Sequence, residues 1–154
     1  MEFEGKIADY MKRDPIIVSP TTNLRDVATE MAEREKDVVV VRDEEGVIRG
    51  LVTAQDLYGA MVSSVLGKDL LEQMPVDLRD VRVSELMKAT KAEEFMEVCG
   101  LTGTNVCISL GPEDTVVNAI RVMALAGINH ILILGSDGVV GTLSEDDLIK
   151  VFTE

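Results

Sequence analysis

The chain has 154 residues, 46% of them hydrophobic, and a formal net charge of −13. That length allows one compact unit or two small halves sharing a core, and the apolar content excludes intrinsic disorder. No apolar run is long enough to cross a membrane, and the acidic balance opposes nucleic acid and anionic membranes, whose affinity comes mainly from Lys and Arg.

The opening Met1-Glu2-Phe3-Glu4-Gly5-Lys6 is acidic and lacks a signal-peptide pattern, so a cytoplasmic chain is expected. Ile7 to Lys12 predicts a short helical turn, which Asp14-Pro15 ends because proline disfavours helix in the residue before it. Ile16-Ile17-Val18 predicts a β-branched strand and Ser19-Pro20-Thr21-Thr22 a turn, with Thr22 as helix N-cap. Leu24, Val27, Ala28, Met31 and Ala32 share one helical face. Val38 to Val41 is apolar throughout and predicts a strand buried on both faces. A hairpin over Glu45-Gly46 leads into a strand from Val47 to Val52, and a helix follows Thr53. Gly59 to Arg82 joins this half to the next, and its Met61, Val62, Val65, Leu66, Leu70 and Leu71 predict a packed helix.

The same order then returns. Val83 to Lys88 matches the opening turn and Val106 to Ser109 the first strand. Asp114 stands as N-cap before a face of Val116, Ala119, Ile120 and Met123, and Gly127 ends the helix. Ile131 to Leu134 and Val139 to Leu143 form the hairpin, and Glu145 to Phe152 the last helix. The expectation is an α/β (α+β) chain of two β-α-β-β-α repeats packed as a pseudo-twofold pair. Repeat 1 covers 7–66, a linker 67–82, and repeat 2 covers 83–153 with an insertion at about 89–104. Repeat 1 folds without that insertion, so it is expected to serve regulation or a partner.

One stretch repeats closely. Gly50-Leu51-Val52-Thr53-Ala54-Gln55-Asp56-Leu57 returns as Gly141-Thr142-Leu143-Ser144-Glu145-Asp146-Asp147-Leu148. A hydroxyl three residues before a carboxylate at a helix start is a capping box, and a single copy reads most simply that way. The glycine adds room for another group to approach the backbone, and the strand-to-helix corner presents free N–H groups. A carboxylate there can accept two hydrogen bonds from a sugar diol, beside a hydroxyl and amides suited to a phosphate. Glycine, hydroxyl and aspartate therefore make a ribose-phosphate constellation, present twice.

With these two G-x-x-[ST]-x-x-D-L stretches, the Asp14-Pro15-Ile16-Ile17-Val18-Ser19-Pro20 opening and the doubled element order, the chain resembles a stand-alone tandem pair of CBS domains, the Bateman module, from Ile7 to Phe152. The resemblance implies an adenosine-containing ligand between the repeats. The ribose would fall to Asp56 and Asp147 with Thr53 and Ser144 beside them, and the base to Ile17 and Cys107. It also implies phosphate-meeting cations at Lys36 and His130, in the pairs Lys36-Asp37 and Asn129-His130. Asp37 departs from that pattern in sign, so AMP, adenosine or an S-adenosylmethionine-type compound suits the chain better than a triphosphate. Such modules resemble sensors that signal to a separate protein effector, and paired modules join as homodimers through the helices after the motifs. Here those helices carry Leu57, Met61, Val65, Leu148, Ile149, Val151 and Phe152.

An enzyme is not expected. The sequence has no Ser/His/Asp set, no Cys/His pair at motif spacing, no phosphate-binding loop with lysine, and no recognised metal-ligand spacing; no cofactor is required. Cys99 and Cys107 read first as small buried hydrophobes. Two further readings remain open: a ligand-free oligomerisation or interaction module, and a scaffold regulated through these two thiols.

Overall fold

The computed structural model describes residues 4–59, 90–99 and 107–153. The expected helix through Met61, Val65 and Leu71, the linker 67–82, the turn Val83 to Lys88 and the loop Gly100 to Thr104 lie outside the described residues. Among the described residues the fold is mixed α/β with two four-stranded sheets. The chain divides into two compact units, Ile16–Glu97, and Met1–Pro15 with Val98–Glu154.

In the first sheet the order is β2 (Ile16–Val18), β3 (Val38–Arg42), β4 (Ile48–Thr53) and β5 (Glu97–Val98). β2 runs parallel to β3 with Ile16 opposite Val39, and β4 returns antiparallel with Thr53 opposite Val38. Val38 to Val41 are all buried, as an uninterrupted apolar strand requires. Helix α1 (Leu24–Arg34) packs Leu24, Val27 and Met31 into this core, together with Ile16, Val52, Leu57 and Ala92. Each such buried aliphatic side chain contributes roughly 1.5–3 kcal/mol.

The other sheet has the order β1 (Lys12–Arg13), β8 (Gly138–Ser144), β7 (His130–Gly135) and β6 (Ser109–Leu110). Helix α3 (Val116–Ala126) buries Val116, Ala119 and Met123, while Ile120 faces outward, contrary to expectation. The last helix is shorter than its sequence suggests: α4 (Glu145–Leu148) passes into a 3₁₀ turn, Ile149–Thr153.

Both N-caps lie one residue beyond the expected ones. The Asn23 side chain accepts from the Asp26 N–H at 2.9 Å, and Thr115 from the Asn118 N–H at 3.1 Å. Thr22 and Asp114 instead close the preceding turns, accepting from the N–H groups of Ser19 at 3.2 Å and Gly111 at 2.7 Å. A side-chain oxygen can serve the turn or the helix end, and two adjacent residues divide the work.

The largest difference concerns the opening segments. The second counterpart of Ile7–Arg13 is not Val83 to Lys88 but Ala92–Val98, where helix α2 (Ala92–Phe95) leads into β5. The Ile7 N–H donates to the Asp114 carbonyl and the Ala8 N–H to that of Pro112; likewise Ala92 donates to Thr22 and Glu93 to Pro20. Lys6-Ile7-Ala8-Asp9-Tyr10-Met11 therefore aligns with Lys91-Ala92-Glu93-Glu94-Phe95-Met96. Each opening segment extends the sheet built by the other repeat, so the units are not the contiguous 7–66 and 83–153. The stretch 89–104 is consequently not one insertion. Its first part is a sheet-forming element, and the excess lies between Cys99 and Cys107, which a disulfide joins.

The motif glycines serve this exchange. A methyl on Gly141 would stand 2.5 Å from the Lys12 carbonyl oxygen and 3.2 Å from Met11 Sδ. A methyl on Gly50 would overlap the Glu97 carbonyl oxygen and lie 2.8 Å from Met96 Sδ. The room that these glycines leave is filled by the chain's own backbone rather than left for a ligand.

Candidate functional site

The motif hydroxyls end their strands and the carboxylates sit one helical turn later. In the first copy the capping box is complete. The Thr53 N–H donates to Asp56 Oδ2 at 3.0 Å, and the Asp56 N–H donates to Thr53 Oγ1 at 3.0 Å. Thr53 is buried and Asp56 half-buried. Among the described residues, Asp56 Oδ1 takes no donor, so one carboxylate oxygen remains for an outside hydroxyl or amine.

Lys36 and Asp37 approach this copy through the backbone. The Ala54 N–H donates to the Asp37 carbonyl at 2.8 Å, which ties the start of β3 to the helical residues 54–59. In the second copy the Glu145 N–H reaches the Asn129 carbonyl at 3.3 Å, and His130 pairs with Ser144 across β7 and β8. His130 Nδ1 lies 2.7 Å from the Asn129 side-chain oxygen. Each expected cation therefore stands at the start of the strand that pairs with its own repeat's motif strand.

The second copy is chemically different. Asp147 Oδ2 accepts from both the Ser144 N–H at 2.9 Å and the Ser144 hydroxyl at 3.1 Å. Its Oδ1 is taken by the Lys12 ammonium at 2.5 Å, which also reaches Ser144 Oγ at 3.4 Å. Lys150 stands 3.7 Å away. Asp147 is only 1% exposed. Lys12 is delivered by β1, whose register sets Lys12 opposite Thr142 and Arg13 opposite Gly141. The sequence reading missed Lys12 because it paired this segment with Val83 to Lys88. The signal that finds it is the match to Lys91–Met96, which puts Glu97 in the corresponding place of the first copy.

Ile17 lines a cavity of about 620 Å³ with Ser19, Thr22, Asp26, Glu30 and Arg34; neither Thr53 nor Asp56 lines it. Cys107 is bonded to Cys99, with the Cα atoms 5.2 Å apart. Register also moves the counterpart of Ile17. Ile17 opposes Val40, and Ser109 opposes Leu132 in the same position relative to the motif, so Ser109 rather than Cys107 matches it. The glycine-rich approach to Cys107 hid this shift, because Gly100 to Thr104 carries no strand period to count from. Among the described residues no group of His, Cys, Asp and Glu is arranged to hold a metal ion, and no helix is long and apolar enough to cross a membrane.

Comparison with known proteins adds the family. A family model for the CBS domain matches residues 7–63 and 103–154. An uncharacterized protein of Methanocaldococcus jannaschii is 26% identical over 153 residues, covering 94% of this chain and 89% of its own. A CBS domain protein from Pyrobaculum aerophilum, solved in complex with AMP, has a TM-score of 0.63 at 18% identity and covers 97% of this chain and 100% of its own. A CBS domain pair solved with 5′-methylthioadenosine and S-adenosyl-L-methionine has a TM-score of 0.66 at 16% identity, covering 97% of each chain.

Proposed function

This chain belongs to the CBS domain family, and on that premise we propose that it is a regulatory module, not an enzyme, that binds an adenosine-containing small molecule and passes the change to a separate protein. The observation that carries the reading is the doubled strand-to-helix corner, with one oxygen of Asp56 that takes no donor among the described residues. That oxygen accepts from a ribose hydroxyl, while Oδ2 stays with the Thr53 N–H and keeps the helix capped. Structural relatives solved with AMP and with S-adenosyl-L-methionine support the ligand class. Lys36 and His130 supply the cations for a short phosphate tail. The charge of −13 and Asp37 favour AMP, adenosine or an S-adenosylmethionine-type compound over ATP.

Calorimetry and thermal shift with AMP, ADP, ATP, adenosine and S-adenosylmethionine test this. A bound ligand at a hundred times its dissociation constant adds about 2.7 kcal/mol of stability. Silence for all five compounds overturns the reading.

A second reading rests on a different observation. Tyr58, Ile149 and Phe152, on the segments following the two motifs, are all exposed, whereas Leu57 and Val151 are buried in their own cores. Exposed aromatic and aliphatic side chains at matched positions favour association, so a homodimer belongs to the proposal. Met61 and Val65, once expected to share the task, lie outside the described residues. Light scattering should give twice the 16.8 kDa chain mass, and Phe152→Asp should return the monomer. A wild-type protein that scatters only as a monomer at micromolar concentration rejects the dimer.

A further inference from the structure

We infer that the two motif copies are not equivalent: Lys12 is a built-in occupant of the Asp147 copy, so adenosine binds through Asp56, and residue 12 decides which copies are open. The inference rests on the adenosine reading above and adds to it which site is used and what sets that choice.

The geometry supports a closed second copy. All the acceptor capacity that faces Ser144 and β1 is spoken for. Asp147 Oδ2 holds two donors from Ser144, and Oδ1 holds the Lys12 ammonium. The carboxylate is 1% exposed and the Ser144 residue 4%. A ribose diol would have to remove the lysine to reach Oδ1. A neutral hydroxyl donates a hydrogen bond but carries no charge, so the exchange separates a largely buried ion pair and leaves both charges poorly compensated. Lys12 is not free to swing clear at no cost. Its backbone is fixed in β1 against Thr142, and the neighbouring Met11 is buried in the core.

The first copy has the opposite chemistry. The exchanged segment there brings Glu97, whose carbonyl oxygen sits over Gly50 as that of Lys12 sits over Gly141. A carboxylate at that position cannot serve Asp56 as Lys12 serves Asp147, and among the described residues no cation is bonded to Asp56. Asp56 is half-buried and Oδ1 takes no donor among the described residues. One exchange of segments, applied to two unlike side chains, thus closes one copy and leaves the other available.

Adenosine titrated calorimetrically into the whole chain decides the matter, with wild type, Asp56→Asn, Lys12→Ser and the double variant Asp56→Asn with Lys12→Ser. Wild type should bind one adenosine per chain. Asp56→Asn should weaken that binding about tenfold to a hundredfold. Lys12→Ser should bind two per chain, and the double variant should regain affinity within about tenfold of wild type through Asp147. Circular dichroism checks that each variant folds. If Lys12→Ser does not fold, Lys12→Gln keeps the stem, removes the charge and takes its place. Two equivalents in wild type, undiminished binding in Asp56→Asn, or a folded double variant that stays silent each overturns the inference while the adenosine reading stands. No heat in wild type overturns the adenosine reading itself and this inference with it.

Discussion

Gly141→Ala is a sharp test of the segment exchange, because the added methyl meets backbone. Its carbon would lie 2.5 Å from the Lys12 carbonyl oxygen, 3.2 Å from Met11 Sδ and 3.5 Å from the Lys12 carbonyl carbon. Non-bonded heavy atoms of this kind rest near 3.5 Å, so β1 must retreat by about 1 Å. It cannot do so alone. Lys12 is paired with Thr142 and bonded to Asp147, and Met11 is packed among Ile131, Ile133 and Leu143. Overpacking of this kind costs about 1–3 kcal/mol, and a backbone obstacle places it in the upper half of that range. Alanine also restricts the unfolded chain, which returns about 0.4–1 kcal/mol. The net loss is then about 2 kcal/mol, or roughly 4–8 °C in melting temperature for a chain of this size. Gly111→Ala is the control, since its methyl would meet nothing closer than Asp114 Oδ2 at 3.6 Å. Urea denaturation followed by circular dichroism should show Gly141→Ala shifted to a lower midpoint and Gly111→Ala within about 0.5 kcal/mol of wild type. Gly50→Ala should behave like Gly141→Ala, because its methyl meets Glu97 and Met96. If Gly141→Ala and Gly50→Ala keep full stability, the glycines are not there for the exchanged strands. Loss of adenosine binding alone in Gly50→Ala would return that glycine to the ligand.

Two further outcomes are expected. The Asp43 carboxyl is held below its ordinary value of 3.8, chiefly by the Val47 N–H, with Arg49 and the Glu45 N–H adding to it and partial desolvation opposing. A depressed carboxylate stabilises the fold above its unfolded value and loses that contribution as pH falls through its folded value. Asp43→Asn should therefore lower the urea midpoint at pH 7, with the deficit shrinking as pH falls below 3.8; a deficit that stays constant with pH contradicts this. The Cys99–Cys107 bond closes a sequence separation of 8. Thiol titration of the unfolded chain should count no free thiol before reduction and two after it, with the reduced chain about 2.5 kcal/mol less stable; two thiols without reductant would remove the bond from the argument.

The parts of this fold that were legible are those with a period or a motif. Val38 to Val41 announced a doubly buried strand, and Leu24, Val27 and Met31 a helix face, because burial imposes spacing. The two motif corners were legible because a hydroxyl, a carboxylate and a fixed interval suffice to cap a helix. Exchange of the opening segments was not, since periodicity reports which face is buried and not against which sheet. Ile7 to Met11 would read the same packed on either repeat. The match of Lys6–Met11 to Lys91–Met96 was available, and its offset of 85 residues stands closer to the motif interval of 91 than the 76 of Val83 to Lys88, whose Met87-Lys88 ending, like that of Met11-Lys12, drew the alignment.

The same exchange explains why the candidate site was only half readable. Asp56 and Asp147 are identical in motif, so any rule built on the motif makes them equal. Their difference comes from residues 12 and 97, each far away in sequence and each delivered to a motif by a strand of two residues. A lysine at one pairs with Asp147, and a glutamate at the other cannot pair so with Asp56, without altering any motif position. Near a buried carboxylate a single cation 2.5 Å away outweighs the diffuse charge of −13, because the interior screens close charges far less than solvent screens distant ones. Net charge thus bears on which ligand class reaches the protein. The side chain at position 12 bears on whether the second copy can accept it.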